Sequence, residues 1–110
     1  MAKNDYFVIV YRILIYLYAC MKDGVTPDEN VISYETLNIN QRYWCDILES
    51  IYEEGYIKGI VISKMLNNVA SVRIDQIKIT QKGIGFLEEN SLMHKAKEFL
   101  KTVKEIIPGM

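Results

Sequence analysis

The order of elements along this 110-residue chain predicts a small α+β domain: helices, one β-hairpin, then helices again. Three observations carry that reading. The stretch "YFVIVYRILIYLYAC" (6–20) is apolar at helical spacing. Two helix signals, one short and one longer, come in succession with a tight turn between them. Two β-branched runs then flank Asn67-Asn68, a pair that tolerates the positive φ angles of a hairpin turn.

The first stretch reads as a helix of the folded protein. A bilayer span needs about 20 apolar residues, and this run is shorter and broken by Arg12. Lys3 in front and "LYAC" behind have the outline of a secretion signal. Bulky Tyr18, Arg12 inside the apolar region and Asp5 in the leader all oppose that reading. Phe7, Val10, Leu14, Leu17 and Met21 form one stripe at 100° per residue, with Ile9, Ile13, Tyr16 and Cys20 beside it. A surface helix needs one apolar face. This one needs cover from two or three sides, from later in the chain or from a second chain.

Asp5 is the expected N-cap of that helix and Gly24 lies just past its end. "GVTPDEN" (24–30) reads as a loop. A short helix is expected from Ser33, closed by Asn38 and turning at Ile39. Asn40 then caps a longer one in which Trp44, Ile47, Leu48 and Ile51 face inward, ended by Gly55 as a left-handed cap. The strands of the hairpin lie in "YIKGIVISKMLNNVASVRI" (56–74). Val72 and Ile74 share one phase and Ile77 and Ile79 the other, so a bulge or break is expected at Asp75-Gln76. Thr80 begins a further helix. Ser91 caps a last one, which stops at Pro108-Gly109. Two helices joined by a tight turn and followed by a hairpin form a winged helix-turn-helix, with 40–54 as recognition helix and the hairpin as wing. The prediction is one winged-helix domain over 1–110, with 91–107 as an added C-terminal helix.

"NQRYWCDILESIYEEGYIKG", "KITQKGIGFLEENS" and "MHKAKEFLKTVKEII" resemble the YjcQ-like family, small winged-helix proteins common in phages and mobile elements of Gram-positive bacteria. The resemblance covers nearly the whole chain. It is clearest in Tyr43-Trp44, Gly55-Tyr56-Ile57, Gly59, Ile79-Thr80, Lys82-Gly83 and Leu87-Glu88-Glu89-Asn90. It implies the winged-helix fold and brings no catalytic motif with it.

For function, the start of the recognition helix offers Asn40, Gln41, Arg42 and Tyr43, at the turn that reaches base edges in such folds. Lys64 and Arg73 on the hairpin, with Lys58 and Lys78 nearby, are placed to meet phosphates of double-stranded DNA. The formal net charge is −1, yet residues 55–82 carry five basic and one acidic side chain. Against DNA stand Asp46, Glu49, Glu53 and Glu54, which give the recognition helix a net −3. The wing tip is also apolar, with Met65, Leu66 and Val69. Those features suit a protein partner instead. The leading expectation is therefore a DNA-binding regulator of phage or mobile-element type; the alternative is a protein-interaction module.

In the last helix Leu92, Ala96, Phe99, Val103 and Ile106 step by 4, 3, 4, 3, a short heptad seam. It either covers helix 1 of the same chain or joins two chains as a homodimer, and helix 1 has apolar surface enough for both. Lys95, Lys97, Lys101 and Lys104 form a solvated face, too weakly basic at +2 for a membrane-surface helix. Cys20 and Cys45 fit no metal or redox spacing and read as buried reduced thiols, which favours a cytoplasmic setting. His94 stands alone, and Glu53-Glu54 and Glu88-Glu89 are helix neighbours that point apart. "GIG" (83–85) lacks the phosphate-loop context. No enzyme, metal or cofactor is expected.

Overall fold

A single helix threads the middle of the molecule. In the computed structural model, which describes residues 5–64 and 70–90, α1 (Asp5–Asp23) is buried throughout residues 9–17 except for half-buried Arg12. Its cover comes from α3 (Gln41–Glu53), β4 (Lys78–Ile79) and α4 (Gln81–Glu89). This is the cover that its apolar circumference demanded. Phe7 and Met21, near its two ends, stay half exposed. Among the described residues no helix is long and apolar enough to cross a membrane.

The helix-turn-helix is built on caps. After α1, a single 3-10 turn (Glu29–Ile32) occupies the end of the segment expected to be loop. Its formation has two causes: Asp28 accepts a hydrogen bond from the Asn30 amide at 2.9 Å, and Val31 and Ile32 are pulled into the core. The Asp28 amide in turn donates to the buried Tyr16 hydroxyl at 2.8 Å, fastening the turn to α1. Ser33 caps α2 (Tyr34–Leu37) through the Thr36 amide, and Asn38 ends it in the left-handed region at φ 59°. Asn40 caps α3, with Oδ1 accepting from the Tyr43 amide at 2.8 Å. Trp44, Cys45, Ile47, Leu48 and Ile51 of α3 are buried, and Trp44 Nε1 donates to the Ile32 carbonyl at 2.8 Å. Both cysteines are buried thiols outside any disulfide, as their setting in apolar helices predicted, and burial raises the pKa of both.

The hairpin is two short ladders rather than one. β1 (Ile57–Lys58) pairs antiparallel with β4, placing Ile57 opposite Ile79 and Lys58 opposite Lys78. β2 (Val61–Lys64) pairs with β3 (Ala70–Arg73) in the register Val61 to Arg73, Ile62 to Val72, Ser63 to Ser71 and Lys64 to Ala70. Gly59 separates β1 from β2 at φ +82°, where a Cβ would collide with the Gln76 carbonyl. On the other strand the break expected at Asp75-Gln76 is a turn, closed by the Ile77 amide on the Ile74 carbonyl at 3.1 Å. The turn re-aims the chain, so Ile74, Ile77 and Ile79 are all buried despite their opposite phases. The whole is an α+β winged helix.

Thr80 locks the hairpin to α4. Its amide donates to the Tyr56 carbonyl at 3.0 Å and its hydroxyl to the Gly55 carbonyl at 2.5 Å. The same hydroxyl accepts from the Gly83 amide at 3.1 Å, capping α4. Gly83 must be glycine, because a Cβ there would meet the Tyr56 carbonyl and lie 2.8 Å from Ile79 Cγ1. At Gly85, one half-turn on, such an atom would meet no neighbouring atom of the described residues within 4 Å. Equilibrium urea unfolding should therefore separate them. Gly83→Ala should lose about 1–3 kcal/mol to overpacking, whereas Gly85→Ala should gain about 0.5–1 kcal/mol of helix propensity.

Candidate nucleic-acid interface

The exposed start of α3 presents two of the four expected readers without encumbrance. Gln41 and Arg42 are exposed, and their side chains make no hydrogen bond or ion pair among the described residues. Asn40 is exposed too, but its Oδ1 is committed to the cap, leaving the amide nitrogen to face outward contacts. Tyr43 differs. It is half-buried against the core, and its hydroxyl donates to Asp5 Oδ2 over a long 3.4 Å. Burial first, and the Asp5 carboxylate second, raise the pKa of this hydroxyl. Its hydroxyl links the start of α3 to the start of α1.

The hairpin lies alongside α3, and β3 packs on it. Its two expected phosphate contacts do not sit together. Lys64 shares the phase of Ile62 and Val72, the half-buried side, and its Nζ is 3.6 Å from Glu49 Oε2 on α3. Arg73 lies on the opposite face with Val61, Ser63 and Ser71, all exposed, and its guanidinium is 3.6 Å from Asp75. The cause is register. A two-residue turn on Asn67-Asn68 would set Lys64 opposite Ser71 and put it on the face of Arg73. The observed pairing of Lys64 with Ala70 is one residue away, and a one-residue slip exchanges faces. Ser63 and Ser71 are directly opposite each other on the exposed face. Their hydroxyls are exposed donors of the kind that can bond to phosphate, and strand alternation alone did not single them out.

Two surface ion pairs thus hold the hairpin cations. Side chains this exposed (70% for Lys64 and 71% for Arg73) gain only about 0–1 kcal/mol from such pairing. A phosphate can replace either carboxylate at small cost. Asp46 and Glu53 remain exposed on α3, and Glu49 is half-buried. Lys58 and Lys78 oppose each other on the outer side of the β1–β4 ladder, beyond the break from the main hairpin. The expected seam of Leu92, Ala96, Phe99, Val103 and Ile106 and the wing-tip residues Met65, Leu66 and Val69 lie outside the described residues. Among the described residues no three His, Cys, Asp or Glu side chains come together to hold a metal ion.

The cap and the reading surface meet at Asn40, and substitution separates them. Asn40→Ala should lower unfolding stability by about 1 kcal/mol, and Asn40→Asp, which keeps the cap oxygen, should leave it within a few tenths. Thermal melts by circular dichroism check both.

No curated protein and no solved structure matches the chain. A family profile does, over residues 11–106, from within α1 to past the end of α4 and through the helix-turn-helix and hairpin that form this surface. The chain belongs to the YjcQ protein family.

Proposed function

We propose that this protein is a non-catalytic regulator that binds double-stranded DNA, of the phage or mobile-element kind. The observation that carries the reading is the exposed pair Gln41 and Arg42, without a partner among the described residues, on the capped first turn of α3, flanked by a hairpin bearing Ser63, Ser71 and Arg73 on its open face. In a winged helix that turn enters the major groove, where Arg suits guanine and Gln suits adenine. The hairpin hydroxyls and Arg73 then take phosphates beside it. Lys64 joins them by exchanging Glu49 for a phosphate oxygen. Because Asp46, Glu49 and Glu53 repel the backbone, affinity per chain is modest and strongly salt-dependent.

A second reading rests on that same acidic side of α3. Asp46 and Glu53 are exposed, and a basic protein surface would find them unmatched by cations on their own helix apart from Arg42.

Fluorescence anisotropy with mixed-sequence duplex DNA, at about 50 and 200 mM salt, tests the DNA reading. Arg42→Ala with Arg73→Ala should remove binding while the circular dichroism spectrum and melt are kept. Glu49→Gln should tighten binding and steepen the salt dependence by roughly one counterion, as Lys64 is released to phosphate. Unchanged binding in the first variant contradicts the assigned surface. Absence of binding at low salt turns the assignment to a protein partner, whose capture Asp46→Lys should abolish.

A further inference from the structure

The outer face of α4 is a short helix surface that matches itself. Gln81, Lys82, Gly85, Phe86 and Glu89 fall at i, i+1, i+4, i+5 and i+8, and together with Tyr56 they line an open groove of about 590 Å³. The opposite side of α4 is spent on the core, where Gly83 and Leu87 are buried. In the groove, Phe86 is half-buried against Tyr11 and Tyr56, with ring centroids 5.1 and 4.9 Å apart, and Lys82 lies 5.7 Å above the Tyr56 ring. Lys82, Glu88 and Glu89 are exposed and make no ion pair among the described residues. Lys82 and Glu89 are seven residues apart, about 10 Å along the helix, too far to pair with each other.

We propose that this groove is the seat of a second copy of the chain, with two α4 helices crossing antiparallel about a twofold axis between Gly85 and Phe86. The axis sets residue i of one copy against residue 171 − i of the other. Lys82 then meets Glu89 of the second copy, and its Glu89 meets Lys82, so both unpaired charges are matched twice. Gly85 faces Phe86 across the axis. The ring of each copy enters the space that the missing side chain of the other leaves open. This accounts for a glycine in mid-helix whose Cβ would meet no neighbouring atom of the described residues within 4 Å, although glycine there weakens the helix. The contact is isologous, as a twofold dimer requires. Exposed Glu88 and Glu89 make the groove a poor seat for nucleic acid. A nine-residue helix is about 13 Å long, so the interface falls in the small size class and the dimer is weak and reversible. Self-association of this kind does not depend on DNA binding.

Sedimentation equilibrium of the full chain, up to about 1 mM at 50 mM salt, tests it. The wild type should show a monomer–dimer equilibrium. Lys82→Glu and Glu89→Lys alone should each weaken it about tenfold, and the two together should restore it, since the swap recreates both pairs with signs reversed. Gly85→Leu should abolish dimerisation without lowering the melting temperature measured at micromolar concentration. A wild type that stays monomeric at 1 mM, single reversals without effect, or a double swap no better than the singles would each overturn the assignment.

Discussion

Everything in this molecule is arranged around the need to keep water from helix α1. Nearly every residue from 9 to 17 is buried, which at about 25 cal/mol per Å² of apolar surface makes this helix the largest hydrophobic contribution among the described elements. No one neighbour can cover a helix that is apolar almost all round. The helix-turn-helix covers one side, and the β4 strand and α4 cover others. The exposed part of α3 is therefore the outward side of a helix whose inward side meets α1, and β3 of the hairpin packs in turn on α3. The surface proposed to meet DNA is thus carried on α1 through α3.

Much of this was legible in the residues. Caps are local chemistry, and Ser33, Asn40 and Thr80 each place their oxygen on the backbone amide three residues on. Asn38 and Gly55 take the left-handed geometry their side chains allow. The 3-10 turn at Glu29–Ile32 was not legible, because it forms only once Asp28 is anchored by Tyr16 and its two apolar residues have a core to enter. Hairpin register was the other limit. As a sequence signal Asn67-Asn68 predicts a reversal but leaves open by one residue how the strands align, and that one residue decides whether Lys64 faces α3 or stands beside Arg73. The pairing of Lys64 with Glu49 and the separation of Tyr43 from its three neighbours follow from tertiary placement alone.

The proposed interface is electrostatically restrained rather than strongly attractive. Its cations are few, and Lys64 and Arg73 lie beside carboxylates while α3 carries acids on its outer side. Under the proposed function such a surface would discriminate by geometry, binding where the Gln41–Arg42 turn makes good base contacts and being repelled where it does not. Weak self-association through α4 would complement this, since two modest readers joined on one duplex gain avidity that neither has alone. The family fold permits this use without requiring it, so function turns on what this surface contacts.

The most direct measurement is amide chemical-shift mapping of isotope-labelled protein during titration with duplex DNA at low salt. Shifts should concentrate at residues 40–43, 61–64 and 70–73 and fade as salt rises. Shifts confined to α1 or α4, or none at any concentration of duplex, would contradict a DNA-binding role for this surface.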